Sequence, residues 1–410
     1  MKTSFRFQNL QEQINQTAAG LSLAQPVGDG AIQAVAAPYR ICPIGAHVDH
    51  QAGAVLGVAI NAYTVLVFAP SADGMVRLTS ADFAGEIAFS AVAPLFFVKD
   101  SAKDWGRYAR GAVFALHKLF PNQITTGLTG HISGRLLGAG LSSSASAGVA
   151  YLMALSKVND LTLTQAELVE LDRVIENEYL GLNNGIQDQT TIVFGRADGI
   201  VHQDTRNRIV TAVPHPPQYK DVAWLVIFSG FTRELTSSGF NDRVAECWQA
   251  AGQLRPGAKL LGDVSPEHYL ENRTELPQDL QRRAAHYFTE TARVEQGKTA
   301  WAAGDFKRFG ELMNRSCESS VHQYECGSEP LIKLHEIALQ TAGVLGSRFS
   351  GGGYGGCLVA LAQRDQAEGA IEQILKQYRL AYPQKADVCA GWLVDGVDGA
   401  STVIVSEQTG

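Results

Sequence analysis

The sequence predicts a protein of mixed helices and strands, folded as two domains. Segments with strand character alternate with segments of helical periodicity along the chain. At 410 residues the chain can bury a large core and exceeds the usual size of one domain. We place the boundary near residue 205, which gives an N-terminal domain of residues 1–205 and a C-terminal domain of residues 206–410.

An early β region precedes the first strong helices. The predicted strands of the N-terminal half are residues 32–35, 63–68, 76–79, 86–90 and 127–133. The predicted helices are residues 107–120, 144–156 and 163–179. The last of these is capped by Thr162 or Thr164 and ended by Gly181. The C-terminal half continues with strands at residues 222–229 and 358–361 and helices at residues 241–254, 278–303 and 365–380.

The composition is that of a soluble enzyme, with 45% hydrophobic and 18% charged residues. A net charge of -7 with dispersed basic residues argues against nucleic acid as a partner. The first 25 residues have no signal-peptide pattern, and no apolar run approaches the roughly 20 residues that a membrane span needs. The six cysteines have no close paired spacing, which indicates reduced thiols in a cytoplasmic protein. No obligate protein partner is implied.

A glycine turn that runs directly into three serines and a helix is the most informative stretch. Gly138 and Gly140 permit a tight backbone turn, Leu141 follows, and Ser142, Ser143 and Ser144 open the helix. The amide groups of a helix start can bind phosphate, and the hydroxyls can bind phosphate or magnesium. A Walker lysine is missing, so charge must be neutralised by a metal and the helix dipole. The alternative is a strand-to-helix turn capped by serine.

Two further segments share this density of glycine and polar residues. The first contains the run Arg-x-x-x-Ile-Gly-x-His-x-Asp from Arg40 to Asp49. The second is the loop at residues 349–357, which includes Gly352 and precedes a predicted strand.

Together the three segments resemble the three motifs of the galactokinase, homoserine kinase, mevalonate kinase and phosphomevalonate kinase (GHMP) superfamily. The first motif places the chain near the galactokinase branch, where it looks most like the galacturonokinases. The resemblance covers nearly the whole chain. It implies an α+β, two-lobed GHMP kinase fold, with an N-terminal lobe like ribosomal protein S5, a C-terminal ferredoxin-like α/β lobe, and the active site between them. It also implies ATP and Mg²⁺ as cofactors and a sugar as the phosphate acceptor.

The resemblance assigns the reacting groups residue by residue. By this match Ser144 and Glu176 hold magnesium, Asp188 is the catalytic carboxylate and Arg40 is its partner. Without the match, Glu176 reads as an exposed helical acid and Asp188 as a local turn former. Asp188 either removes the proton of the sugar hydroxyl or only orients that hydroxyl, and we favour the base.

The sugar and the adenine have candidate contacts as well. The resemblance gives His47 and Asp49 the sugar hydroxyls, whereas a zinc site of His47, Asp49 and His50 is the competing interpretation. Trp105 matches an aromatic residue that family members place near adenine, and its alternative is a core tryptophan.

One departure from galactokinases bears on the substrate. Galactokinases carry a glutamate between the glycine and the histidine of the first motif, and this chain has Ala46. A glutamate facing a C6 carboxylate at about 4 Å would cost about 4 kcal/mol at an effective dielectric of 20. Ala46 therefore permits a uronate, and it equally tolerates a sugar without C6.

Candidate donors for that carboxylate are Tyr39, Thr232, Arg233 and the hydroxyls at residues 236–238, with Arg233 the obvious charge partner. Phe240 stands where galactokinases commonly have a tyrosine near the sugar, and the lost hydroxyl again points away from galactose.

The sequence therefore predicts an ATP-dependent sugar 1-kinase that acts on D-galacturonate and releases the α-1-phosphate and ADP. Galactose and arabinose are the alternative substrates. A sensor that binds ATP and sugar without catalysis is the alternative from another class, although the residues of the phosphate turn and the catalytic pair are all present.

Overall fold

Helices and strands form a mixed α+β fold around two sheets in the computed structural model of the chain. The structure describes residues 5–22, 32–93, 104–134, 138–232 and 239–405. Its strands are β1 (Gln33–Ile44), β2 (Ala54–Ser71), β3 (Met75–Ser80), β4 (Ile87–Ser90), β5 (Gly127–Ser133), β6 (Gly199–Asp204), β7 (Ile209–Pro214), β8 (Val222–Phe228), β9 (Val344–Phe349), β10 (Cys357–Gln363), β11 (Ala390–Val394) and β12 (Ser401–Ile404). Its helices are α1 (Leu10–Ala19), α2 (Arg107–Leu119), α3 (Ser143–Val158), α4 (Gln165–Arg173), α5 (Gln187–Phe194), α6 (Phe240–Leu254), α7 (Pro266–Asn272), α8 (Gln278–Ala302), α9 (Phe306–His322), α10 (Glu329–Leu339) and α11 (Ala367–Ala381).

The first sheet has eight strands. Its main path runs β12-β1-β2-β5-β3-β4, while β6 pairs with β2 and β7 pairs with β6. The β3–β5 pair is parallel, and the other pairs are antiparallel. Helices α2, α3, α4 and α5 pack together against this sheet and bury a cluster of apolar side chains from β1, β2 and the helices.

The second sheet has four antiparallel strands in the order β11-β8-β10-β9. Side chains of β8 alternate between its two faces, as the two-residue period of a strand requires. Trp224 and Val226 join a cluster shared with β1, β2, α8 and α9. Leu225 and Ile227 join a cluster shared with α6, α10 and α11. The two sheets are therefore connected through one apolar core.

Most of the predicted elements are confirmed, and most of their boundaries agree within a few residues. The predicted strands at residues 32–35 and 63–68 are too short, because β1 continues to Ile44 and β2 already begins at Ala54. The helix predicted for residues 163–179 is confirmed only in part, because it is α-helical as far as Arg173 and π-helical from Val174. Thr164 caps α4 through a capping box with Glu167, and the chain then continues as a π-helical turn over Val174–Tyr179. Such turns occur often at functional sites.

The boundary at residue 205 stays a prediction. Strand β6 before it and β7 after it lie in the same sheet, and β12 returns from the C-terminal half to pair with β1. In the described part of the chain, no helix combines the length and the apolar character that crossing a membrane would need. All six cysteines are buried free thiols.

Helix α8 fixes the loop that follows β1. The N–H of Gly45 donates to Oε1 of Glu290 at 2.7 Å, and Nε2 of His286 donates to the carbonyl of Ala46 at 2.9 Å. Gly45 has φ of +104°, and a Cβ atom there would lie 2.7 Å from the Cα of Val55. Only glycine fits this turn, and the loop is held in one position.

Glu290 is fully buried and keeps its charge through its neighbours. It accepts from Nε of Arg293 at 2.7 Å and from the hydroxyl of Ser316. Burial alone would raise the pKa of Glu290, but Arg293, His286 and Arg348 outweigh it and lower the pKa to about 2. The loop after β1 is thus anchored to a buried, ionised carboxylate.

Replacing Glu290 by glutamine should lower the free energy of unfolding at pH 7 by about 3 kcal/mol, because Arg293 loses its buried counter-charge. The pKa of Glu290 is lower in the folded protein than in the unfolded chain, so its contribution is complete above a pH of about 4.3 and is lost as the pH falls toward 2. Denaturant unfolding at pH 7 and at pH 3 should therefore show a smaller difference between variant and wild type at the lower pH.

Glu336→Gln is the matched control for this change. Glu336 forms an exposed ion pair with Lys333, so its loss should change stability by less than about 0.5 kcal/mol. An E290Q effect that is the same at both pH values would contradict the electrostatic explanation.

Candidate active site

The three sequence segments meet around one cavity of about 540 Å³. The loop after β1, the turn before α3 and the glycine-rich loop before β10 all line it. Its wall includes Arg40, Ala46, His47 and Asp49, then Gly138, Gly140, Ser142, Ser143 and Ser144, and then Gly351, Gly352, Gly353, Tyr354 and Gly355.

The turn before α3 has the geometry of an anion cradle. Gly138 and Gly140 have φ of +71° and +74°, and Ser142 also has a left-handed conformation. Helix α3 begins at Ser143, so the free N–H groups of its first turn lie at the cavity wall. A Cβ atom on Gly140 would lie 2.7 Å from the carbonyl oxygen of Ser350, which shows how closely this turn meets the third loop. The aligned N–H groups favour a negatively charged group here.

Arg40 and Asp188 form the central ion pair of the cavity. Nε of Arg40 donates to Oδ1 of Asp188 at 2.7 Å, and the hydroxyl of Ser142 donates to Oδ2. The same guanidinium donates to the carbonyl of Gly140 at 3.0 Å and to the hydroxyl of Ser350 at 3.1 Å. Burial would lower the pKa of Arg40, but Asp188 outweighs it and raises the pKa. The guanidinium of Arg40 therefore keeps its positive charge beside Asp188.

Glu176 lies directly behind the cavity wall, in the π-helical turn. Its Oε1 is 3.5 Å from the hydroxyl of Tyr108, which lines the cavity, and its Oε2 accepts from the side-chain amide of Asn184. Burial and, to a smaller extent, the negative charge of Asp188 raise the pKa of Glu176 to about 8. A nearby cation would favour the ionised carboxylate.

Asp49 and His47, from the loop after β1, also line the cavity. Oδ2 of Asp49 accepts the N–H of Gln187 at 3.1 Å, and a Cβ atom on Gly185 would lie 2.2 Å from that oxygen. Burial raises the pKa of Asp49 to about 6, although the Gln187 N–H opposes the shift. Two elements, the loop after β1 and the segment before α5, thus fix this carboxylate.

The ring of His47 is held on two sides. It stacks on Tyr324 with ring centroids 4.3 Å apart, and its Nε2 is 3.2 Å from Sγ of Cys326. Burial lowers the pKa of His47 well below its usual value, so the ring is neutral. His50 bonds to Tyr324 and Gln51 instead. In the described residues no group of three or more His, Cys, Asp or Glu side chains is arranged to hold a metal ion.

Tyr39 and Leu141, which the sequence predicted to contact a ligand, do not line the cavity. Tyr39 is fully buried in the core cluster shared by the two sheets and does not line the cavity. It precedes Arg40 in β1, and successive strand residues point to opposite faces, so Arg40 faces the site and Tyr39 faces the core. Leu141 is also buried, and its carbonyl accepts the N–H of Arg40 at 3.2 Å.

Of the other residues predicted for the site, some line the cavity and some lie outside the described residues. Trp105 lines the cavity and stacks on Phe83 with centroids 5.9 Å apart, and Thr232 and Phe240 also line it. Arg233 and the hydroxyls at residues 236–238 lie outside the described residues.

Sequence reasoning missed several groups that shape the site. Ser350 accepts a hydrogen bond from Arg40. Ser142, which belongs to the turn that forms the anion cradle, also donates a hydrogen bond to Asp188. Cys326 contacts His47, and Tyr354 lines the cavity. Ser350 stood inside the third glycine-rich loop and could have been included, whereas the position of Cys326 depends on tertiary packing alone.

Known proteins match this architecture and this chain. The chain matches the family model described as GHMP kinases N terminal domain over residues 107–196, and the model described as GHMP kinases C terminal over residues 298–380. It is 40% identical over 400 residues to a galacturonokinase of Arabidopsis thaliana, with 92% of each chain covered. It is 36% identical over 372 residues to a galactokinase of Roseiflexus sp. (strain RS-1), with 88% of this chain and 92% of the relative covered.

A solved structure agrees with these relatives. The galactokinase of Lactococcus lactis, crystallised with galactose, superposes with a TM-score of 0.83 at 28% identity and covers 96% of this chain and 99% of its own. A mevalonate kinase from Methanococcus jannaschii shares the fold, with a TM-score of 0.59 at 16% identity. The match extends over both lobes, and the chain belongs to the GHMP kinase family, among the sugar kinases of its galactokinase branch.

Proposed function

We propose that the chain transfers the γ-phosphoryl group of ATP to the anomeric hydroxyl of D-galacturonate, giving α-D-galacturonate 1-phosphate and ADP. The observation that carries this proposal is the Arg40–Asp188 ion pair, held in the cavity between the anion cradle and the predicted sugar contacts. Phosphoryl transfer needs a held nucleotide, a positioned acceptor oxygen and a group that manages the acceptor proton, and this cavity offers a candidate for each.

The nucleotide phosphates would lie on the turn before α3. The N–H groups of the first turn of α3, the backbone from Gly138 to Leu141 and the hydroxyls of Ser142, Ser143 and Ser144 supply donors there. Trp105, supported by Phe83, offers a flat face for adenine.

Ser144 and Glu176 fit the magnesium ion that this nucleotide would carry. Both present hard oxygen atoms, and Mg²⁺ is usually bound by one or two such side chains together with phosphate oxygens and water. The carboxylate of Glu176 is buried, and among the described residues its hydrogen-bond contacts are the neutral side chains of Tyr108 and Asn184. When bound, Mg²⁺ would neutralise charge on the β- and γ-phosphates.

The transfer itself would use Asp188 and Arg40. As the anomeric oxygen attacks the γ-phosphorus, Asp188 accepts its proton, the new bond between that oxygen and phosphorus forms, and the bond from phosphorus to the leaving ADP oxygen breaks. Arg40 donates a hydrogen bond to Asp188 and would lie where negative charge develops. Ser142 and Ser350 hold this pair in place.

His47 and Asp49 would bind the sugar hydroxyls, and the wall at Ala46 would face C6. Ala46 lines the cavity and brings no charge to it, so a substrate carboxylate meets no repulsion from this position. Gly352 and Thr232 also line the cavity, and Thr232 offers a hydroxyl to it. The similarity to the Arabidopsis galacturonokinase supports the same substrate.

Galactose is the second candidate substrate. The galactokinase relatives and the structure crystallised with galactose favour it, because much of the chain is similar to theirs.

We also expect a cytoplasmic protein that acts on small molecules without an obligate protein partner. The six buried free thiols support the cytoplasmic location.

Replacing Asp188 by asparagine should lower kcat by about 10²- to 10⁴-fold, because the amide cannot accept the proton of the sugar hydroxyl. Binding of sugar and of ADP, measured by calorimetry, should change by only a few fold. Asp198→Asn is the matched control, since Asp198 forms an exposed ion pair with Arg196, and its kcat should equal that of the wild type. A D188N enzyme with undiminished turnover would refute the assignment, and a wild type that binds sugar without turnover would favour the sensor.

The substrate is tested by kcat/KM of the wild type for galacturonate, galactose and arabinose, together with Ala46→Glu and Ala46→Gln. The wild type should prefer galacturonate. A46E should lower kcat/KM for galacturonate by at least about 100-fold more than A46Q does, since the two side chains have similar size and only glutamate repels the carboxylate.

The same two variants should differ little toward arabinose, which has no C6. A wild type that prefers galactose or arabinose would overturn galacturonate as the substrate. Equal losses in A46E and A46Q would overturn the charge argument and leave a steric one.

A further inference from the structure

Asp172 is a buried carboxylate that the proposed transfer does not use. It lies near the end of α4, its side chain is completely buried, and neither of its oxygens has a hydrogen-bond partner within the described residues. Burying an ionised carboxylate without donors costs several kcal/mol, so natural proteins keep such a group only where something compensates it.

The carboxylate of Asp172 lies directly against the backbone of α3. A Cβ atom on Gly148 would be 2.0 Å from its Oδ1, so glycine at this position leaves the room that the carboxylate occupies. Gly148 follows Ser144 by four residues in α3, and Asp172 precedes Glu176 by four residues. Residues four apart lie on the same side of an α-helix, so Gly148 lies on the same side of α3 as Ser144. The carboxylate of Asp172 therefore contacts α3 one turn after Ser144, and Asp172 precedes the π-helical turn that carries Glu176.

The groups around Asp172 belong to the same part of the site. The hydroxyl of Tyr108 is 3.5 Å from Glu176, and the charges of Glu176 and Asp172 both raise the pKa of Tyr108, after burial itself. Burial raises the pKa of Asp172 well above its usual value, and Glu176 and Asp188 raise it further. Three carboxylates therefore lie within electrostatic reach of one another, and Arg40 is bonded to Asp188.

We propose that Asp172 is a second carboxylate of the divalent-cation site, acting as a positioning residue behind Glu176. The inference rests on the proposed function for the cation itself. Mg²⁺ retains several water molecules when it binds a protein, and carboxylates behind the direct ligands orient those waters and ligands. Within the described residues neither oxygen of Asp172 has a hydrogen-bond partner, so both can accept bonds from such waters. Once the cation favours the ionised form, the charge of Asp172 would add to the attraction.

Asp172→Asn tests this role by two measurements that do not depend on turnover. The first is the affinity for Mn²⁺ in the presence of ADP, followed by electron paramagnetic resonance. D172N should weaken it about 10- to 100-fold, the range typical of groups behind metal ligands. Glu178→Gln is the matched control, because Glu178 lies in the same π-helical turn but pairs with Lys118 and Arg173 at the surface. Its Mn²⁺ affinity should equal that of the wild type.

The second measurement is thermal unfolding with ADP, in EDTA and in Mg²⁺. The wild type should gain stability on adding Mg²⁺. D172N should lose most of this gain, yet be about as stable as the wild type in EDTA. Burial raises the pKa of Asp172 well above its usual value, so without the cation an amide replaces a carboxyl group that has no hydrogen-bond partner within the described residues. A purely structural role would instead lower the melting temperature of D172N equally in both conditions, and that result would overturn the inference.

Gly148→Ala provides a second variant in case D172N does not fold. It keeps the acid but places a methyl group where Oδ1 lies, so it should also weaken Mn²⁺ binding. Unchanged Mn²⁺ affinity in whichever variant folds would overturn the inference.

The Glu176→Gln variant distinguishes a wrong role for Asp172 from a wrong proposed function. Loss of Mn²⁺ binding in E176Q but not in D172N would reject Asp172 and keep the cation site. A wild type without Mn²⁺ binding would reject both, and the sugar preference of the enzyme affects neither result.

Discussion

One guanidinium connects the parts of the site. Arg40 comes from the middle of β1 and bonds to Asp188 at the start of α5, to the carbonyl of Gly140 in the turn before α3, and to Ser350 at the start of the third loop. Its partners come from three distant parts of the sequence. Because Arg40 is 4% exposed, it remains buried only if all these acceptors are present, and the position of Asp188, the proposed catalytic carboxylate, depends on the same contacts.

Glu290 is a second buried charge that holds part of the cavity wall, in this case the loop after β1. Glu290 and His286 on α8 hold the backbone of the loop that carries Ala46 and His47. The side chains of that loop are therefore positioned by polar contacts to a helix of the C-terminal half, while the residue that would face the substrate is a small methyl group. Specificity at this position can change by substitution without loss of the loop's conformation, since the anchoring bonds are made by backbone atoms.

Much of the site could be predicted from the sequence because its motifs are local and rich in glycine. The cradle at Gly138 and Gly140, the helix beginning at Ser143 and the pairing of Arg40 with Asp188 all appear where the residues indicated. Tyr39 could have been placed correctly by the alternation of side chains along a strand, since it adjoins Arg40 in β1. The contacts of Glu290 and Cys326 join residues more than two hundred positions apart, and no local pattern encodes them.

In the fold, too, local sequence patterns predict some elements, whereas the positions of others depend on residues far away in the sequence. Long periodic segments such as α2 and β5 were predicted nearly to the residue. The π-helical turn was not, because one added residue in a helical turn hardly alters the spacing of apolar side chains. Short strands such as β11 and β12 carry too few residues for a period to be recognised, and their place is set by the strands they pair with.

The pairing of β12 with β1 has a consequence for synthesis of the chain on the ribosome. Strand β1, which carries Arg40, has β2 on one side and β12 on the other, and β12 is encoded some 360 residues later. Until residues 401–404 leave the ribosome, one edge of β1 exposes unpaired amide and carbonyl groups at Gln33 to Ala36. An open strand edge can pair with the wrong chain, so the nascent protein is exposed to aggregation at this edge until translation of β12 is complete.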